Sequence, residues 1–311
     1  MATHHPLVSV IVPNYNHALY LRQRLDSIFN QTYQDFEVII LDDCSTDNSK
    51  EIIEEYRNRP QISHIVYNGT NSGSPFKQWA KGFDLARGEY IWIAESDDWA
   101  DKDFLAALTP IFVEQEDVVL AFCAINIVYE NAPSQKWKQY ISDRIINGKA
   151  FLRQKMSCCN AVYNASCAIF RKEILSKVTS KYQEFKGCGD WLFWMEISMY
   201  GNVYYSSKAL DYFRQHGNNT TRKNVKTGND LIEIWKIFQI AKEKRFVSLF
   251  RRIETPLQFY EKCKKTDSKA SVLWKKELPF PRIEKIIYRT VLLLWQFREK
   301  ILRVFCLSKN R

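Results

Sequence analysis

The chain has 311 residues, 46% of them hydrophobic and 14% aromatic, which supplies a sizeable core and excludes a disordered chain. Its net charge of +10 is uneven: residues 1–221 hold 22 Lys and Arg against 26 Asp and Glu, whereas residues 222–311 hold 23 against 9. The basic excess therefore belongs to the tail and points there to an anionic surface, rather than to a generally basic protein.

In chain order, "LVSVIVP" (7–13) is a continuous β-branched run without polar alternation, the pattern of a parallel strand covered on both faces. "NYNHALYLRQRLDSIFNQ" follows with Leu21, Leu25 and Ile28 at helical spacing, and "FEVIILDD" (36–43) is a second buried strand. "CSTDNSKEIIEEYRNR" opens with capping residues and becomes helical. "ISHIVYN" reads as a third strand, "SPFKQWAKGFDLAR" as a third helix ended by Gly88, and "EYIWIAESDD" as a fourth strand. This alternation predicts a βαβ series with a parallel sheet, and ligands in such sheets sit beyond the carboxyl ends of the strands. Pro13-Asn14-Tyr15, Asp42-Asp43 and Glu95–Asp98 all fall at those ends and are expected to converge. Residues 105–221 read as mixed: strand in "DVVLAFCAINIVYE", a strand running into a helix in "NASCAIFRKEIL", an aromatic-rich helix in "GDWLFWMEISMYG", then a strand and a polar loop. Beyond 222 the chain reads as helical and basic.

No G-x-G-x-x-G follows the first strand and no G-x-x-x-x-G-K-[ST] occurs, which disfavours a dinucleotide site or a P-loop. The eight cysteines form no C-x-x-C pair, and with no signal peptide in "MATHHPLVSV" the chain reads as cytosolic with reduced thiols.

"AESDDWADKDF" (94–104) ends the fourth strand in acids that repel one another unless something positive neutralises them. Oxygen ligands at Asp97 and Asp98 suit Mg²⁺ or Mn²⁺, which a protein commonly holds through one or two carboxylates plus substrate phosphates. Together, "VSVIVPNYNHALYLRQRLDSIFNQTYQDFEVIILDDCSTDNS" and "NSGSPFKQWAKGFDLARGEYIWIAESDDW" resemble the family 2 glycosyltransferases over residues 6–221. The resemblance implies a GT-A fold, an α/β architecture with a mainly parallel central sheet flanked by helices. It makes residues 1–221 a catalytic domain and residues 222–311 a basic helical extension. A nucleoside-diphosphate sugar, expected to be a UDP-sugar, would lie across the strand ends with Mn²⁺ or Mg²⁺.

Carried over residue by residue, the resemblance implies base and ribose contacts from Pro13, Tyr15 and Asn16, and uracil or ribose recognition by Asp42 and Asp43. The family's D-x-D motif matches Glu95-Ser96-Asp97, departing from it at Glu95. Asp97 is the first expected metal ligand and Asp98 the second. Asp190, in Gly189-Asp190-Trp191, matches the family's catalytic carboxylate and is expected to act as general base; the alternative reading is a helix N-cap. In "FRQHGNNTT" His216 is expected near the metal or the diphosphate. Lys77 and Gln78 are expected at the diphosphate or base, or else simply begin a helix. Trp191 and Trp194 read either as stacking on an acceptor sugar or as core.

In the tail, Ile283, Ile287, Val291, Leu294, Ile301 and Phe305 share a helical stripe flanked by Lys and Arg, and the uncharged run Thr290–Phe297 is far too short to span a bilayer. Residues 281–311 are expected to lie on an anionic membrane surface, placing the enzyme peripherally on the inner face of the cytoplasmic membrane, the alternative being a helix packed on the catalytic domain. The expected acceptor is a saccharide or lipid-linked glycan of a surface polysaccharide or lipopolysaccharide. A nucleic-acid-binding tail and a catalytically idle sugar binder are the alternatives, but the tail carries no zinc-finger, RRM or recognition-helix signature, so nucleic acid is not expected.

Overall fold

The computed structural model describes residues 7–130, 132–217, 224, 227–248, 252, 255, 290 and 293. The chain divides into two compact units, Met1–Arg222 and Lys223–Arg311.

The first unit is built on strands β1 (Val8–Asn14), β2 (Phe36–Asp42), β3 (Ile62–Tyr67) and β4 (Tyr90–Ile93). Every residue of β1, β2 and β4 is buried, as their mainly apolar, non-alternating sequences suggest for strands covered on both faces. These four strands pair in parallel in the order β3-β2-β1-β4. The sheet then continues through β9 (Ala168–Arg171), β6 (Val118–Tyr129), β10 (Asn202–Gln215) and the two-residue β5 (Trp99–Ala100). Short strands β7 (Gln135–Trp137) and β8 (Arg144–Ile146) pair with β6 and β10. β6 and β10 run parallel to each other, and β9 runs antiparallel to both of its neighbours, so the sheet is mostly parallel with antiparallel insertions. The stretch after β9, expected to become an ordinary helix, forms two 3-10 turns, Lys172–Lys177 and Ser180–Glu184.

Register positions the rim. Val8 pairs with Phe36 and Asn14 with Asp42, so β1 and β2 end level with each other. Ile11 pairs with Ile93, so the chain leaving β4 opens its acidic loop beside the end of β1. Helices α1 (Ala18–Phe29), α2 (Ser49–Tyr56) and α3 (Pro75–Leu85) make the crossovers. Two short helices, α4 (Phe104–Leu108) and α5 (Pro110–Glu114), lead into β6. α6 (Gly148–Phe151) and a π-type turn, Leu152–Met156, precede α7 (Gly189–Ile197).

In the second unit, α8 (Asn229–Glu243) starts after Gly228, whose φ of 72° is a left-handed conformation that glycine adopts without strain. Its buried face holds Leu231, Ile237, Phe238 and Ala241. The interfacial helix expected over residues 281–311 lies outside the described residues, Thr290 and Leu293 excepted. Among the described residues no helix is long and apolar enough to cross a membrane.

Candidate active site

The first part of the rim is made by β1 and β2. Pro13 and Asn14 are buried in β1, while Tyr15 is exposed and Asn16 turns the chain with a φ of 56°, a left-handed conformation that Asn tolerates better than most residues. Asn16 is pinned to the opposite loop: its Oδ1 accepts from Thr46 N at 2.7 Å, and its N donates to Ser45 Oγ at 2.9 Å. Asp42, buried, accepts from Asn14 Nδ2 at 2.8 Å and from Ser45 N and Oγ at 3.0 and 2.6 Å.

Asp43 is a second buried hub. Its oxygens accept from Asn68 Nδ2, Ser72 N, Ser72 Oγ and Gln78 Nε2 at 2.7 to 3.0 Å. Gln78 is thus directed onto Asp43, and Lys77 Nζ onto Ser72 O at 3.2 Å. Asp43→Ala would strip these partners and leave buried donors without acceptors, a loss of about 3 kcal/mol at 1–3 kcal/mol per orphaned group. For a unit of this size that is roughly 10 °C in the melting midpoint. Thermal unfolding followed by circular dichroism checks it; an unchanged midpoint would show that the hub does not hold the loop.

The second part is the loop after β4. Glu95 is held by Trp79 Nε1, which donates to its Oε1 at 2.8 Å. Burial, with Asp97 beside it, pushes its carboxyl up to about 8. Ser96 Oγ lies 2.8 Å from His17 Nδ1. Asp97 Oδ2 lies 3.0 Å from His216 Nε2. Burial works to raise Asp97, but the His216 hydrogen bond and the two nearby imidazoles outweigh it and hold the carboxyl below the usual range. His17, Asp97 and His216 each bring a ligand-type atom within 4.8 Å of the others, and this is where a metal ion can sit. Asp98 is not brought to this cluster. It is buried, and it accepts from Asn164 Nδ2 at 2.7 Å, Ser166 Oγ at 3.0 Å and Arg214 N at 2.9 Å. Burial and Asp97 raise its carboxyl to about 7.

Beneath the loop lies a charged layer that the sequence reading did not single out. Arg24 is fully buried; its Nε donates to Glu95 O at 2.8 Å, and Glu95, Asp97, Asp98 and Asp211 supply the surrounding negative charge. Asp211, fully buried, accepts from Asn164 Nδ2 at 3.1 Å, and burial drives its carboxyl well above the ordinary value. Arg214 bolts the loop from β10. Its Nε donates to Asp97 O at 2.9 Å, and its guanidinium lies 4.6 Å from the ring centroids of both Tyr20 and Trp99.

The third part is Asp190, in the first turn of α7. The N-cap of α7 is Cys188, so Asp190 does not cap the helix. Asn160 Nδ2 donates to Asp190 Oδ2 at 2.7 Å, while Asn164, four residues on, holds Asp98. A four-residue step spans at most about 14 Å, so one short segment ties Asp190 to the acidic loop. Gly189 is needed at the helix start, because a Cβ there would sit 2.4 Å from Tyr182 O and 2.7 Å from the Phe76 ring. Trp191 and Trp194 belong to the core. Trp191 Nε1 donates to Met156 O at 2.8 Å, and Trp194 packs against Phe170 and Phe193.

The glycosyl transferase family 2 profile matches residues 9–179. The chain is 26% identical over 239 residues to the poly(ribitol-phosphate) beta-N-acetylglucosaminyltransferase TarS of Staphylococcus aureus strain Mu50, a match covering 75% of this chain and 40% of TarS. It is 31% identical over 179 residues to the abequosyltransferase RfbV of Salmonella typhimurium strain LT2, covering 54% of this chain and 53% of RfbV. The chain thus spans about half or less of the length of these two relatives. A crystal structure of S. aureus TarS 1-349 in complex with UDP-GlcNAc superposes with a TM-score of 0.61 at 24% identity, covering 75% of this chain and 66% of that one. The mannosyltransferase PcManGT of Pyrobaculum calidifontis, in complex with GDP-Man and Mn2+, gives 0.53 at 17% identity, covering 94% and 88%. These likenesses establish the GT-A fold. With the profile running from β1 through β9, the chain belongs to glycosyl transferase family 2.

Proposed function

We propose that this chain is an inverting, metal-dependent glycosyltransferase. It moves a sugar from a nucleoside-diphosphate donor, UDP being the expected nucleotide, to a hydroxyl of a saccharide or lipid-linked acceptor in surface-polysaccharide synthesis. The observation that carries this reading is the cluster of His17, Asp97 and His216 at the carboxyl rim, with Asp190 tethered to the same loop system. Two imidazoles and one carboxylate fit a divalent ion, and nitrogen donors favour Mn²⁺ over Mg²⁺, which prefers an all-oxygen shell. TarS in complex with UDP-GlcNAc, and PcManGT in complex with GDP-Man and Mn2+, support the donor class and the ion.

When bound, the ion supplies Lewis-acid neutralisation of the charge that develops on the departing diphosphate. Asp97 and the two histidines hold it. Asp190 accepts the proton of the acceptor hydroxyl as that oxygen bonds to the anomeric carbon, while the bond from that carbon to the diphosphate oxygen breaks. Attack opposite the leaving group inverts the centre. Asn160 orients the Asp190 carboxylate, and Tyr15, exposed at the end of β1, offers a ring face to the nucleotide. A nucleotide-sugar donor implies a cytoplasmic reaction, and a lipid-linked acceptor would bring it to the inner face of the membrane.

Incubation with a panel of UDP-, GDP- and dTDP-sugars plus Mn²⁺, measuring nucleoside diphosphate release, tests the proposal. Release from at least one UDP-sugar, abolished by chelator and restored by added Mn²⁺, is expected. No release from any donor, or release indifferent to chelator, would sink it.

A further inference from the structure

Between Lys136 and Lys155 the chain carries six cations, Lys136, Lys138, Arg144, Lys149, Arg153 and Lys155, against the single carboxylate of Asp143. The remainder of residues 1–221 is acidic, with 16 Lys and Arg against 25 Asp and Glu, so this stretch is a local reversal of charge. Asp143 does not neutralise it. That carboxylate accepts from Ser207 N, Ser207 Oγ and Tyr204 OH. None of the six cations joins an ion pair among the described residues, and all but the half-buried Lys155 are exposed. Like charges gathered without counter-charges cost stability, which folding alone gives no reason to bear.

Two of these cations converge. Arg144 Cζ lies 4.5 Å, and Lys155 Nζ 5.1 Å, from the centroid of the Tyr140 ring, which packs on Tyr205 from β10. Lys155 also belongs to the segment that reaches Asp190 through Asn160. Its neighbour Met156 accepts from Trp191, the residue after Asp190, and the Cys158 thiol donates to Lys155 O at 3.0 Å. Two residues beyond Cys158, Asn160 holds Asp190. Tyr163, 40% exposed in the same segment, sets its ring 4.9 Å from Trp137 of β7 and 5.8 Å from Phe213. Aromatic faces and cations without ion pairs thus belong to the same stretch of chain, 136–163, that carries Asn160, the partner of Asp190, and together they suit a ligand with apolar ring faces and negative charge.

We infer that the acceptor is an anionic glycan, bearing phosphodiester or carboxylate groups. One of its rings lies on the Trp137–Tyr163 pair, and an anionic group is bound by Arg144 and Lys155. This rests on the glycosyltransferase reading above. A membrane-facing patch needs cations spread over a surface, whereas Arg144 and Lys155 both lie over the one Tyr140 ring.

The test is binding of the full chain to three oligomers of matched length, poly(glycerol phosphate), oligogalacturonate and neutral dextran, at low and at physiological ionic strength. Both or one of the charged oligomers should bind at least about tenfold tighter than dextran, and the Arg144→Gln/Lys155→Gln variant should lose about tenfold of that affinity through two missing charge-assisted contacts. Which charged oligomer responds tells phosphate from carboxylate. Arg144→Lys/Lys155→Arg should keep the affinity, and both variants should melt as the parent does. Equal binding of charged and neutral oligomers overturns the inference, as does a Gln variant that binds like the parent, since the basic tail then accounts for the attraction. A Gln variant that loses phosphatidylglycerol vesicles but not glycans assigns the patch to a membrane and overturns it too. Because the readout is binding, failure of nucleotide-sugar turnover would count against the glycosyltransferase reading and leave this result distinguishable from it.

Discussion

Replacing Asp97 by Asn is expected to lower sugar transfer by about 10³, since the Lewis-acid contribution is several kcal/mol and each 1.36 kcal/mol is tenfold in rate. Asp97 supplies the only carboxylate of the cluster with His17 and His216, so Asn keeps the shape and removes the charge that attracts a divalent ion. The loop should survive the change, because its backbone is held elsewhere. Arg214 Nε reaches Asp97 O, Arg214 N reaches Asp98, and Arg24 Nε reaches Glu95 O. Calorimetric titration with Mn²⁺ should show affinity at least about tenfold weaker, and initial rates of diphosphate release should fall in parallel. A variant that turns over normally and ignores chelator would remove Asp97 from the metal site.

The same charge balance accounts for a buried strand that ends in so many acids. Only Asp97 shares the histidine cluster. Burial raises the Glu95, Asp98 and Asp211 carboxyls, and Arg24 offsets part of the negative charge from within the fold. Four carboxyls near one another are tolerable because burial disfavours the charged form of three of them, and an internal cation and hydrogen bonds hold what charge remains.

The parallel half of the sheet was legible because its strands are dominated by β-branched and other apolar residues, and the rim followed from where those runs end. What Asp42 and Asp43 touch was not legible. Their partners, Asn14, Ser45, Asn68, Ser72 and Gln78, are brought to them by strand register and loop closure, which local pattern does not encode. His17 was missed although it follows Asn16 directly; its role depends on His216, supplied from the far end of β10. Arg24 did leave a trace. It occupies a position of the helical stripe Leu21, Leu25 and Ile28, and a cation on an apolar face marks a buried counter-charge. Trp191 and Trp194 sit in a helix that is apolar on nearly every side, the composition of a fully buried helix and not of a sugar platform.

Asp190→Asn is expected to lower transfer by about 10² to 10⁴, the range a positioned general base contributes, while donor affinity stays within about twofold. Asn has the same shape, and its Oδ1 can still accept from Asn160 Nδ2, so the side chain remains in place without a basic oxygen. Cys188 is the N-cap, and the fit of Gly189 against Tyr182 and Phe76 is untouched. Donor binding, measured by quenching of tryptophan fluorescence with a UDP-sugar and Mn²⁺, should therefore be retained, and single-turnover transfer to the acceptor should collapse. The pairing with the Asp97 variant is diagnostic, because Asp97→Asn should lose metal and turnover together, whereas Asp190→Asn should lose only turnover. Full transfer in the Asp190 variant would require the proton to go elsewhere. Asp98 and Asp211 are poor substitutes, since both are buried with oxygens bonded to Asn164.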